Sequence, residues 1–296
     1  MQSGNHTIAA PITLAGNLLT SIWSGGTLTL TSDLSAGGAT LTKSGAGTLA
    51  VKNATVDQLA IVGGTVRVTP NGSPGGASRV RLLTINAGAK LDLADNDLIV
   101  SGQPVGTLSG AAYTGVTGLI QAGRNGGNWN GSGIVSSSVS GSLTTLGIAS
   151  ASQVKGINPT DTAVWNGQTV TGTDTLVMYT YGGDANLDGK INVDDYGRID
   201  FSVPLGITGW FNGDFNYDGK VNIDDYGIID FNVGIQGPSL GSAFAALPLP
   251  VTAVPEPVAV LPISIALIFT ARRRRNSSWK LGRDAQATSF CCQSFD

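Results

Sequence analysis

Two copies of one acidic, glycine-turned segment stand 30 residues apart, and few chains can accommodate such a pair without a metal. The first runs Asp184-Ala-Asn186-Leu-Asp188-Gly189-Lys190-Ile-Asn192-Val-Asp194-Asp195 and continues to Phe201. The second runs Asp214-Phe-Asn216-Tyr-Asp218-Gly219-Lys220-Val-Asn222-Ile-Asp224-Asp225 and continues to Phe231. They match at 13 of 18 positions, and the five differences spare every oxygen-bearing side chain. Counted from the first Asp, side-chain oxygens fall at positions 1, 3, 5, 9 and 12, with Gly at 6. A calcium ion takes about six to eight oxygens from a short, sharply turned loop. Gly at position 6 permits the turn, and the main-chain carbonyl of position 7 (Lys190, Lys220) adds an oxygen. The spacing therefore predicts two calcium ions. One would be held by Asp184, Asn186, Asp188, Lys190, Asn192 and Asp195, the other by Asp214, Asn216, Asp218, Lys220, Asn222 and Asp225.

Position 12 is Asp (Asp195, Asp225), where the EF-hand motif has Glu. The shorter side chain requires the following helix to be drawn closer. Helical periodicity after the loops puts Tyr196, Ile199 and Val203 on one face, and Tyr226, Ile229 and Val233 on its counterpart. Gly197 and Gly227 cost those helices about 1 kcal/mol each relative to Ala, so the helices are expected to depend on metal and packing. A duplicated loop-helix unit with Asp at position 12 resembles a dockerin type I repeat, over about residues 179–236. The resemblance implies a cohesin-like partner. At positions 10 and 11, where such repeats often carry a Ser-Thr contact pair, this chain has Val193-Asp194 and Ile223-Asp224.

The rest of the chain is poor in helix formers and rich in turn formers, with 42 Gly and 12% charged residues. That balance favours β structure with tight corners. Through residues 1–104, short apolar strands follow Gly corners: Gly26–Leu30, Gly47–Val51, Gly64–Val68 and Gly88–Leu93. Alternation places Leu28, Leu30, Leu41, Leu49, Val51, Val66, Val68, Leu91 and Leu93 on buried faces. Positions 28, 41, 49, 66 and 91 are taken as equivalent, which makes the repeat loose. Stacked short strands of this kind fit a right-handed parallel β-solenoid, with a β-sandwich as the alternative. Leu49→Asp is expected to unfold the stack and Lys43→Asp to be tolerated. The stretch Leu41-Thr-Lys43-Ser-Gly45-Ala-Gly47-Thr-Leu49, with Gly63–Val68 after it, resembles an autotransporter-associated β-strand repeat. That family implies a passive stalk of a surface or secreted protein.

Residues 105–178 are Gly-, Ser- and Thr-rich and end in a strand at 175–179 that is expected to close the solenoid. Trp129 and Trp165 there suit either a sugar-stacking surface, with a polysaccharide as partner, or the plug of a small core. Residues 237–253 read as a linker. Val254-Pro-Glu-Pro257 is followed by an apolar stretch to Ala271 and then Arg272–Arg275, the order of a PEP-CTERM sorting signal. As a helix the apolar stretch reaches about 21 Å, short of a hydrocarbon core of about 30 Å. The resemblance implies export, transient anchoring and cleavage by an exosortase-type enzyme at a bacterial membrane. The tail, 276–296, exceeds what such signals usually carry and is expected to be disordered or a reading-frame artefact. The first residues lack a basic and an apolar leader, so the chain reads as the C-terminal part of a longer protein or a frame started late.

Enzyme chemistry finds little to work with. Ten of the 20 acidic residues lie between Asp184 and Asp230, and Glu256 is the sole Glu, which leaves few carboxylates to pair as a glycosidase acid and base. Asp95 and Asp97 are expected in a turn, accepting backbone N–H bonds. His6 is the only His, so no His-based triad or His-rich zinc site is available. No basic stripe precedes Arg272, which argues against nucleic acid. The two Cys, Cys291 and Cys292, are adjacent and staple nothing in the body. The sequence thus predicts a mainly β, non-enzymatic, exported surface or matrix protein with a small α calcium module and a C-terminal hydrophobic helix. The alternative is an adaptor docking onto a cohesin-bearing partner in polysaccharide breakdown, any catalytic domain lying upstream.

Overall fold

A computed structural model describes residues 4–71 and 77–240, which are mainly β with few helices. The segments read from the sequence as a sorting signal with a hydrophobic helix (254–275), as a tail (276–296) and as most of a linker (237–253) lie outside the described residues. The strands β1 (Asn5–Ile8), β2 (Ile12–Thr13), β3 (Leu18–Ser21), β4 (Thr27–Leu30), β5 (Leu34–Ser44), β6 (Thr48–Val51), β7 (Ala54–Ile61), β8 (Thr65–Val68), β9 (Ala77–Ile85), β10 (Lys90–Asp92) and β11 (Asp97–Val100) wind as a parallel β-solenoid of about four turns. β1, β4, β6, β8 and β10 stack in one parallel sheet, and β2 or β3, β5, β7, β9 and β11 in the other. Leu28, Leu49, Val66 and Leu91 form one ladder, and Leu18, Leu41, Leu59 and Leu83 a second. Leu41 therefore belongs to a different sheet from Leu28 and Leu49, which corrects the single set of equivalent positions and removes much of the irregular spacing. Of the residues assigned inward, Leu28 is half-buried and the others are buried. Each rung covers the apolar side of its neighbour, so burial of these ladders is the main stabilising term.

Glycine sets the corners because adjacent rungs approach too closely for a side chain. A Cβ added at Gly47 would lie 2.3 Å from the Trp23 carbonyl oxygen, and at Gly64 2.3 Å from that of Gly47. Such packing strands carbonyls at the corner, and Lys43 satisfies them. Its Nζ donates to the carbonyls of Ser44 (2.9 Å), Gly45 (2.8 Å) and Gly63 (3.0 Å), tying two rungs together. The side chain is 0% exposed, and burial pulls its pKa below the ordinary lysine value. This runs against the expectation that Lys43→Asp is tolerated. A carboxylate there would face three carbonyl oxygens, so Lys43→Asp is expected to disrupt the stack as Leu49→Asp does.

Past the last rung the parallel winding stops. A hairpin of β12 (Leu108–Ser109) and β13 (Ala112–Tyr113) leads into α1 (Gly115–Arg124), and β14 (Gly133–Val135) adds in parallel to β10. β15 (Thr144–Ser150), α2 (Ala151–Lys155), the hairpin β16 (Thr162–Trp165)–β17 (Gln168–Thr171) and β18 (Thr175–Tyr181) follow. β18 pairs antiparallel with both β11 and β15, so the closing strand caps the solenoid. Trp165 is buried and Trp129 half-buried, which matches the core-plug reading and removes the exposed aromatic pair. Asp97 is not in a turn but in β11, where it accepts the Tyr179 N–H (3.0 Å) and the Asn166 amide; burial pushes its pKa well up. Beyond β18 lie the two acidic loops and the helices α3 (Val193–Ser202) and α4 (Ile223–Val233). The described residues, 4–71 and 77–240, belong to one compact unit.

Candidate metal centre

Each acidic loop folds the same way because each repeats the same short-range hydrogen bonds. Position 4 (Leu187, φ 58°; Tyr217, φ 60°) and position 6 (Gly189, φ 84°; Gly219, φ 86°) are left-handed, which coils the loop tightly and turns backbone N–H groups inward. Asp184 accepts from the N–H of Asp188 (3.2 Å, on Oδ1) and Gly189 (2.9 Å, on Oδ2). Asp214 accepts from Asp218 (3.2 Å) and Gly219 (2.9 Å) through the same two oxygens. Asn186 and Asn216 close Asx turns onto Asp188 and Asp218 N–H at 2.9 and 2.8 Å. Asp188 and Asp218 in turn take the N–H of Lys190 and Lys220 at 2.9 and 2.8 Å.

Position 12 links loop to helix. Asn192 is the N-cap of α3 and Asn222 that of α4, each with its side chain on the N–H two residues on (2.8 and 2.7 Å). Asp195 and Asp225 return the contact to the cap N–H at 2.8 and 3.0 Å, completing a capping box. Their second oxygens reach back to Ala185 N–H (2.9 Å) and Phe215 N–H (2.8 Å). The carboxyl thus serves the helix start as well as the loop.

The two units face each other with near two-fold symmetry. Tyr196 donates its hydroxyl to Asp230 (2.7 Å) and Tyr226 to Asp200 (2.5 Å). Gly183, just before the first loop, packs on Ile229, and Gly213, just before the second, on Ile199. The buried helical faces are Asp195, Ile199, Ser202 and Asp225, Ile229, Asn232. Val203 and Val233 are exposed, which corrects the expected face. In the first unit a tight turn through Val203–Leu205, with Pro204, ends the α-helix and swings Val203 outward. In the second, Asn232 takes the inner place by donating to the carbonyls of Ser142 (2.7 Å) and Gly182 (2.8 Å).

The pair is built into the β region. Trp210 is buried, donates its indole N–H to the Asp184 carbonyl (2.8 Å) and stacks on Tyr217 (centroids 5.4 Å apart). The Tyr217 hydroxyl reaches the Leu146 carbonyl on β15 at 2.5 Å. Two hydroxyls of the β region touch the loops directly: Thr180 donates to Asp184 Oδ2 and Tyr113 to Asp214 Oδ2. Sequence reasoning singled out none of Gly183, Gly213, Trp210, Thr180 and Tyr113. The two glycines were within reach, since the repeat extends one residue upstream of the first Asp in both copies.

Electrostatically the loops are under-compensated. Asp184, Asp195, Asp214 and Asp225 are all buried, and among the described residues none of them forms an ion pair. Burial pushes the Asp184 carboxyl up to about 8 and those of Asp195 and Asp225 to about 6, and it raises Asp214 as well. Among the described residues no three His, Cys, Asp or Glu side chains converge as a ready-made metal cage. The donor set is mixed instead: three carboxylates, two Asn amide oxygens and a backbone carbonyl per loop. Hard oxygens around buried carboxyl groups that form no ion pair among the described residues fit a calcium ion in chemistry. No helix among the described residues is long and apolar enough to cross a membrane. No protein-family model matches the chain significantly, and neither does a curated protein or a solved structure.

Proposed function

We propose that this chain is a non-enzymatic, exported cell-surface or matrix protein, a β-solenoid whose capping end is stabilised by two calcium ions in dockerin-like loops. The observation that carries the reading is the duplication in kind: two loops repeat one hydrogen-bond scheme around buried carboxylates that form no ion pair among the described residues. Asp184, Asn186, Asp188, Asn192, Asp195 and the Lys190 carbonyl would hold one ion. Asp214, Asn216, Asp218, Asn222, Asp225 and the Lys220 carbonyl would hold the other. Calcium supplies the positive charge that offsets carboxylate repulsion and desolvation. Outside a cell, at about millimolar calcium, even weak extracellular sites fill, so the cap would lock after export. The Pro-Glu-Pro, apolar and Arg order at 254–275 supports export and an exosortase-type sorting enzyme. Calorimetric titration of the full chain with calcium should give two ions per chain. No heat of binding at millimolar calcium would overturn the reading.

A second reading has one observation in its favour. Val193 and Ile223, at position 10 of each loop, are 80% and 78% exposed, and Phe201 and Phe231 65% and 63%. Apolar side chains repeated at matching exposed places suit a protein partner of the cohesin type. Capture of the full chain by an immobilised cohesin, lost in Ile223→Asp, would support this adaptor role. A polysaccharide partner gains nothing from Trp165, which is buried.

A further inference from the structure

We infer that Thr180 and Tyr113, which lie outside both loops, are positioning residues that prepare the first carboxylate of each loop for its ion; this rests on the calcium reading above. A carboxylate has about four lone-pair sites, two on each oxygen. On Asp184, Oδ2 accepts both the Gly189 N–H (2.9 Å) and the Thr180 hydroxyl, and is filled. Its Oδ1 accepts a single bond, the long 3.2 Å contact from Asp188, and keeps a lone pair. The second loop repeats this with unrelated residues. Asp214 Oδ2 accepts the Gly219 N–H (2.9 Å) and the Tyr113 hydroxyl, while Oδ1 accepts only the 3.2 Å bond from Asp218.

The coincidence is informative because the two hydroxyls have no common origin. Thr180 is four residues before Asp184, near the end of β18; Tyr113 is 101 residues before Asp214, at the end of β13. A Thr and a Tyr from different elements nevertheless reach the same oxygen of the same loop position. Partners of this kind fix the orientation of a ligand carboxylate and leave one oxygen for the metal. They also join each loop to the cap. β18 is hydrogen-bonded to the last solenoid strand, and β13 leads into α1. Filling of the loops is thereby coupled to order in the solenoid's closing strands.

Calcium titration of the full chain tests this. Thr180→Val should weaken one ion about 10-fold, Tyr113→Phe the other by a similar factor, and Thr180→Ser should restore wild-type affinity. In an Asp188→Ala background, where only the second loop binds, Tyr113→Phe should weaken the remaining ion and Thr180→Val should not. Should Thr180→Val fail to fold, Thr180→Ala replaces it. Two wild-type sites left unchanged by both substitutions would overturn the positioning role while sparing the calcium reading. Absence of binding by the unmodified chain would instead overturn the calcium reading and this inference with it.

Discussion

The two acidic loops are wired alike inside and differently outside. The first emerges from β18 and is covered on its far side by the chain that follows α4. Gln236 donates to the Ile191 carbonyl (2.7 Å) and accepts its N–H (2.7 Å), Ser239 reaches the Asp188 carbonyl (3.1 Å), and Leu240 N–H the Gly189 carbonyl (3.0 Å). The second is held by β-region residues: Gln121 on the Tyr217 carbonyl (2.8 Å), Tyr113 on Asp214 and Leu108 against Gly219. At its position 8, Val221, the place corresponding to Gln236 falls to Gly206, and an open pocket of about 380 Å³ lies there, lined by Ser202, Gly206 and Val221 among others. Inner wiring follows from local sequence, which the duplication copied. Outer support depends on where each copy meets the rest of the fold, which it did not copy.

The sharpest way to break the comparison is to remove what the loops share. Trp210 supports the Asp184 carbonyl of the first loop and stacks on Tyr217 of the second. Trp210→Ala should cost about 3–5 kcal/mol, measured by denaturant unfolding, and weaken both ions. A loss confined to one loop would show that they are independent. Gln236→Ala should sharpen the difference. It removes two hydrogen bonds from the first loop alone, about 1–3 kcal/mol, and amide exchange should quicken at Ile191 while Val221 is unaffected. Tyr196→Phe and Tyr226→Phe should have the smallest effects, each below about 1 kcal/mol and equal to one another, because their carboxylate contacts are exposed and symmetry-related. Unequal losses would mean that the near two-fold symmetry does not extend to energetics.

What could be read from the sequence divides along the same line. The parallel solenoid and its inward residues were legible because alternation of period two and Gly corners are local signals, as at Leu49 and Val66. The grouping of Leu41 with Leu28 failed because one rung carries strands in two sheets, a fact that spacing alone does not report. Lys43 was misjudged because its charge is satisfied by carbonyls of its own corner and of the next rung, at Gly63. The loops were legible through the spacing of their oxygens and the duplication. The buried helix faces were missed by one position, since Ile199 fixes the phase but Pro204 and the Asn232 amide decide which neighbour turns inward. Thr180 and Tyr113 carry no motif; only the fold brings Tyr113 to Asp214.

Amide hydrogen exchange on the full chain, with and without calcium, tests the central claim most directly. The account predicts that millimolar calcium slows exchange in residues 184–195 and 214–225 together. Protection should extend into β18 around Thr180 and into β13 and α1 around Tyr113, while the rungs from β4 to β9 exchange equally in both conditions. An exchange pattern that calcium leaves unchanged throughout would contradict it.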